Sequence, residues 1–112
     1  MRLIIVLLVA SITSVNAQTI YLNYGQWEQM PIGFREIYLA GAFDALSTIT
    51  TPKEVATAKH YNECVARAGL TSGQLEQNLE EYAKTNPGLQ DKPVPNVLVR
   101  YLISLCGLPT AQ

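Results

Sequence analysis

The sequence predicts a small all-α protein, an up-down bundle of four helices, or of five with a short N-terminal turn, closed by one disulfide bond. Three observations support this fold class. Apolar residues recur at helical spacing along most of the chain after residue 30. Two segments carry a Thr followed three residues later by Glu or Gln, which is a common helix start. The only two cysteines, Cys64 and Cys106, lie within this helical part.

Residues 1–17 have the composition of a signal peptide. Arg2 gives a positive start, residues 3–10 are apolar and uncharged, and Ala17 ends a Val-Asn-Ala stretch suited to cleavage. A transmembrane anchor is the alternative, but the apolar run is about 13 residues long where a bilayer requires roughly 20. We therefore expect cleavage near Ala17 and a protein that is periplasmic or secreted.

Residues 18–112 then form a single helical domain with its core in residues 27–107. The chain has 8 basic and 9 acidic residues and a formal net charge of −1. This balance argues against nucleic acid, whose phosphates require clustered Lys and Arg, and against a membrane-surface site once the signal peptide is removed. A domain of this size is only marginally stable unaided, so a disulfide in an oxidising compartment would be useful.

The start of the domain is predicted to be an extended arm over residues 18–25 that passes into a helical turn at residues 25–29. Trp27, the only tryptophan, is either a core anchor or an exposed binding aromatic.

The first long helix is predicted from Pro31 to Ser47, with Pro31 at its first position. It carries two apolar stripes. One comprises Phe34, Ile37, Tyr38, Gly41, Ala42 and Ala45, and the other, on the far side, comprises Leu39, Phe43 and Leu46. Gly41 is costly in a helix and indicates close approach of another helix. A helix apolar on two faces is central or part of an interface. Asp44 is either an exposed or capping carboxylate or a buried acid bonded to a Tyr or Arg.

The next two helices are predicted over residues 52–68 and 72–85. Thr51 is expected to cap the first, and Gly69 ends it in the left-handed conformation. Thr71 and Gln74 form a capping box for the second. Its buried stripe is Leu75, Leu79, Tyr82 and Ala83, and its solvated face is Glu76, Gln77, Asn78, Glu80, Glu81 and Lys84.

A polar loop over residues 86–94 precedes the last helix, predicted from Pro95 to Cys106. This helix is apolar almost all round, so it should be buried on most sides. A domain of about 95 residues has little surface with which to cover it. We therefore consider a homodimer whose interface contains part of the first or the last long helix.

Cys64 and Cys106 are expected to form a structural disulfide. In an up-down bundle the helices that carry them run the same way, so both cysteines should lie at the same end. On the chain-entropy model, a closed loop of about 43 residues gains roughly 4 kcal/mol.

No residue pattern predicts catalysis, a cofactor or a metal site. His60 is the only histidine, and two cysteines with one histidine do not make a zinc set. His60 is interpreted as a partly exposed surface residue, and a nucleophile pair with Cys64 would require a free thiol. A binding protein is the better class than an enzyme.

The sequence resembles the small secreted immunity proteins of type VI secretion systems, the Rap/Tai group, which neutralise cell-wall amidase toxins. The resemblance covers residues 27–106. It is carried by Tyr38-Leu39-x-Gly41-x-x-Asp44-Ala45-Leu46, Cys64, Leu70-Thr71-x-x-Gln74-Leu75, Tyr82 after Leu79, Asn86-Pro87 and an apolar last helix that ends at Cys106.

The resemblance implies a periplasmic, helical, often dimeric and non-enzymatic protein that plugs the groove of a toxin. The toxin-facing surface would be the helix over residues 72–85 and the loop after it, namely Asn86, Leu89, Gln90, Asp91 and Lys92. The alternative is a structural or chaperone-like envelope protein with another partner.

Overall fold

The computed structural model describes residues 21–48 and 51–109, which form five α-helices and no β-strand. They are α1 (Tyr24–Glu28), α2 (Ile32–Ser47), α3 (Val55–Ala68), α4 (Ser72–Thr85) and α5 (Val94–Cys106). The apolar α5 packs against α1, α2, α3 and α4. The predicted all-α bundle is confirmed. The signal peptide and its cleavage position lie outside the described residues.

The predicted N-terminal turn is α1. The Asn23 side chain accepts from the Gln26 backbone N–H at 2.8 Å, and the Gln26 side chain accepts from the Asn23 N–H at 3.1 Å. The segment around α1 also pairs with the chain just before α5, since the Tyr24 N–H donates to the Lys92 carbonyl oxygen at 2.9 Å. Backbone pairing therefore joins the start of the described chain to the last loop.

The junction of α3 and α4 follows the sequence prediction closely. Gly69 has φ 63°, a left-handed conformation, and its N–H donates to the Ala66 carbonyl oxygen at 3.1 Å. Thr71 and Gln74 form the reciprocal capping box, with bonds of 3.2 and 2.9 Å. A local backbone N–H at the end of α3 and local side chains at the start of α4 therefore pair with free backbone groups at this junction.

The predicted start of α3 at Pro52 is wrong. The helix begins at Val55, and residues 51–54 form turns. The Thr51 hydroxyl binds the Glu54 carboxylate, so it does not cap the backbone. The Thr51 carbonyl oxygen accepts from the Val55 N–H at 3.1 Å and starts the helical ladder there.

The core lies between α5 and the remaining helices, and Trp27 is its largest buried side chain. The Tyr24 ring lies 5.4 Å from the Trp27 ring, centroid to centroid. The question of whether Trp27 is an anchor or an exposed aromatic is thus resolved in favour of the anchor. The other large side chains without exposed surface include Leu39, Leu79, Val94, Val97, Leu98 and Leu102.

Helix α2 turns its second apolar stripe toward the core, together with Tyr38 and Ala42 from its first stripe. Leu39 has no exposed surface, and Phe43 and Leu46 pack against the buried cluster. Phe34 and Ile37 are 62% and 71% exposed. The expected approach of another helix to Gly41 is not found among the described residues, because a Cβ there would meet none of their atoms within 4 Å.

The predicted disulfide between Cys64 and Cys106 is present, with Cα atoms 5.9 Å apart. It joins the last turns of α3 to the end of α5. The bond therefore holds the central helix to one of its neighbours at a single end of the bundle.

Reducing this disulfide should lower the free energy of unfolding by roughly 4 kcal/mol, because a loop spanning 42 positions is then no longer closed in the unfolded chain. Urea unfolding with and without a reducing agent measures the change. The double variant Cys64→Ala/Cys106→Ala should not respond to the reductant. An equally stable reduced protein would contradict the expectation.

Candidate functional site

The strongest candidate for a binding surface is the outer face of α2, defined here as Phe34, Ile37, Gly41 and Ala45. The residues lie three, four and four positions apart, so they share one side of the helix. All four are exposed. Large apolar side chains with this exposure on adjacent turns form a contiguous patch, which is unlike the scattered exposed apolar residues of an ordinary surface.

Two glycines, Gly33 and Gly41, and the carboxylate of Asp44 lie on or beside this face. A Cβ at Gly33 or at Gly41 would meet no atom of residues 21–48 or 51–109 within 4 Å. Asp44 is exposed, and its backbone carbonyl oxygen accepts from the Thr48 hydroxyl at 2.7 Å. The exposed alternative for Asp44 therefore holds. The two glycines leave one edge of the face without side chains, and none of the four residues that define the face is charged.

A shallow cleft of about 420 Å³ opens next to this face, between α2, α3 and α4. Ala40 and Asp44 contribute its α2 wall, beside the outer face. Asn62 from α3 and Leu75 from α4 lie on the other walls. A partner seated on α2 could extend a side chain into this cleft.

Arg35 lies on the inward side of α2 and links three helices. Its guanidinium Nη1 is 3.1 Å from the Glu76 Oε1 and also binds the Glu80 carboxylate, both on α4. The guanidinium carbon lies 5.6 Å from the centroid of the Trp27 ring, within the range of a cation–π contact. The Trp27 indole N–H donates to the Arg35 carbonyl oxygen at 3.3 Å.

Glu76 is fully buried, so its predicted position on the solvated face of α4 is wrong. Neither carboxylate oxygen makes a hydrogen bond of good geometry with a described residue. Burial raises the pKa of Glu76, Glu80 raises it further, and Arg35 opposes the rise. Burial also raises the pKa of Tyr24, in α1, to about 12.

A sequence signal for this burial existed. Glu76 precedes Leu79 by three residues and Ala83 by seven, which places it on the buried side of α4. Its counter-charge Arg35 is distant in the sequence, and no local pattern connects the two.

The loop predicted to face a partner is only partly available. Leu89 is buried in the core, which contradicts its expected role on the binding surface. The Asn86 side-chain amide donates to the Tyr82 carbonyl oxygen at 2.8 Å. Lys92 is partly buried, and Gln90 and Asp91 are exposed. The loop therefore presents two polar side chains on a backbone that is held by the segment around α1.

The other residues singled out in the sequence take part in packing, in a hydrogen bond or in the disulfide. Tyr38 is partly buried against the core. The His60 Nε2 lies 3.0 Å from the Gly107 carbonyl oxygen, and Cys64 is not free because it forms the disulfide. Over residues 21–48 and 51–109 we find no group of three or more metal-ligating side chains placed to hold an ion. None of the helices in these two ranges is both long and apolar enough to cross a bilayer.

No family model, curated protein or solved structure matches this chain.

Replacing Arg35 by Met should lower the free energy of unfolding by about 3 kcal/mol, because the two carboxylates then share a poorly solvated site without a counter-charge. Urea unfolding at pH 7 measures the loss. The control is Arg100→Met in α5, which alters an exposed arginine and should change stability by less than about 0.5 kcal/mol. Equal effects of both variants would contradict a special role for Arg35.

Proposed function

We propose that this chain is a non-enzymatic binding protein that works outside the cytoplasm and engages a protein partner through the outer face of α2. The observation that carries the proposal is the exposure of Phe34 and Ile37 on adjacent turns of a helix whose opposite side is already packed. A hydrophobic groove on a partner accepts the apolar face of such a helix through anchors spaced three or four residues apart.

Two observations support an oxidising compartment. The disulfide between Cys64 and Cys106 belongs to a class of bond that is rare in the reducing cytosol. Residues 1–17 carry the pattern of a signal peptide in the sequence. The periplasm or the cell exterior satisfies both.

We propose further that the partner is a secreted cell-wall amidase toxin and that the protein is its immunity inhibitor. Support comes from the sequence resemblance over residues 27–106. The burial of Leu89 makes the loop before α5 a poorer contact surface than that resemblance implies. We therefore assign the principal contact to the outer face of α2 and leave Gln90 and Asp91 a peripheral role.

The double variant Phe34→Ser/Ile37→Ser should lose at least about tenfold in affinity for the toxin, since buried apolar anchors carry most of the energy of an interface. The toxin to test is a small cysteine amidase, which the proposal expects to be encoded in a neighbouring gene. Affinity is measured by calorimetry, and protection by growth of cells that express the toxin in the periplasm.

The matched control is Val55→Ser, which removes an exposed apolar side chain from α3. It should bind and protect as the unchanged protein does. If the unchanged protein neither binds the amidase nor restores growth, the inhibitor proposal fails. Equal capture of many unfolded proteins would instead support a chaperone-like role.

Self-association is a second candidate use of the same face. Gly33 and Gly41 lie four residues on either side of Ile37. An antiparallel contact with a two-fold axis at Ile37 would place Gly33 against Gly41 of a second copy, where two backbones can approach closely. Val97, Leu98 and Leu102 of α5 are already buried within one chain, so we place the proposed interface on α2.

In a dimer of this geometry, Ile37 meets its own copy, so Ile37→Cys should form an intermolecular disulfide under mild oxidation. Val55→Cys, on another helix, should not. Non-reducing electrophoresis and light scattering measure both. A single monomeric mass across the accessible concentration range, with no crosslink at position 37, would exclude the dimer.

A further inference from the structure

The charge balance of the cluster formed by Arg35, Glu76 and Glu80 is incomplete. One guanidinium faces two carboxylates, so the cluster has a net negative charge if both acids are ionised. The Glu76 side chain is 1% exposed, that of Arg35 14% and that of Glu80 27%. Only Glu80 retains appreciable solvent to stabilise a negative charge.

The hydrogen-bond geometry points the same way. Glu80 forms the direct hydrogen bond with Arg35. Glu76 lies 3.1 Å from the same nitrogen, but both of its oxygens remain without a partner of good geometry. An ionised carboxylate without donors is costly in such a site, whereas a protonated one is a donor to its neighbour. The Glu80 carboxylate lies one turn further along α4 and binds the same guanidinium nitrogen, so it is placed to accept that hydrogen bond.

The remaining charged groups around Glu76 do not supply a second cation. From α2 it meets Arg35 and Glu36, and Glu36 is a further negative charge. From α1 it faces Tyr24, whose hydroxyl is neutral over the physiological range because its pKa lies at about 12. In α5, which also packs on α4, the Tyr101 hydroxyl accepts from Asn78 at 3.0 Å. Binding of a proton is therefore the most favourable way to neutralise the second carboxylate.

We propose that Glu76 and Glu80 share one proton in the folded protein, so that the cluster is a proton-binding clasp between α2 and α4 that holds more tightly in mildly acidic than in neutral solution. With the proton on Glu76, Arg35 and Glu80 form a neutral ion pair and the whole cluster carries no net charge. The inference concerns the stability of the bundle and does not depend on the partner of the outer face of α2.

The direction of the pH dependence follows from linkage. An unfolded chain releases the Glu76 proton near the ordinary pKa of 4.5, and the folded chain releases it at a higher pH because the pKa is raised. Between these two values the folded state binds more protons than the unfolded state. The free energy of unfolding therefore falls as pH rises through this window, and the stabilisation is fully present below it.

The test is urea unfolding of the intact protein at several pH values from 4.5 to 8, compared with Glu76→Gln. One proton taken up on folding changes the unfolding equilibrium constant by up to about tenfold per pH unit. The unchanged protein should show this dependence, and Glu76→Gln should lose it while being at least as stable at pH 8. The control Glu81→Gln alters an exposed acid of the same helix and should keep the dependence.

A Glu76→Gln variant that is less stable at every pH and retains the full pH dependence would overturn the proposal, because Glu76 would then act as an ionised partner of Arg35. The side-chain carboxyl carbon of Glu76, followed by NMR in the unchanged protein, gives an answer that needs no variant. A titration midpoint above 4.5 supports the shared proton, and one at or below 4.5 refutes it.

Discussion

The contact on which the architecture most depends is the guanidinium of Arg35 between Trp27 and the acids of α4. Three helices meet at this one group: α1 through the Trp27 ring, α2 through the Arg35 backbone, and α4 through Glu76 and Glu80. The disulfide ties α3 to α5. The two ties are complementary because they involve different helices: the covalent tie joins α3 and α5, and the ionic tie joins α1, α2 and α4. Each of the five helices takes part in one of the two ties, and the apolar α5 packs against the other four.

This division has a consequence for how the two ties respond to conditions. The disulfide acts mainly by restricting the unfolded chain, so pH has little effect on it while the bond is intact. The cluster around Arg35 acts in the folded state through charges of low exposure, and its strength depends on protonation. Sensitivity to pH is therefore concentrated at the junction of α1, α2 and α4. The composition gives no indication of such a response, because the chain contains one histidine and 15% charged residues.

Features with local causes could be predicted from the sequence. The C-terminal end of α3 follows from Gly69, and the N-terminal end of α4 follows from the capping box of Thr71 and Gln74. Each of these signals acts within four residues. The rotation of α2 could not be predicted, because both of its sides are apolar and only the packing of Leu39 decides between them. The burial of Leu89 depends on pairing with the distant segment around α1, and that of Glu76 on an arginine 41 positions away.

Gly41 gives the strongest reason to seek a partner at the outer face of α2. A glycine within a helix costs about 1 kcal/mol relative to alanine, and a compensating contact usually explains it. Here no atom of the described chain would touch a Cβ at this position, and the same holds at Gly33. Two helical glycines that meet no other part of the described chain therefore lie beside two exposed apolar side chains, Phe34 and Ile37. Such places are expected at functional sites, where the compensation comes from a molecule that the protein binds.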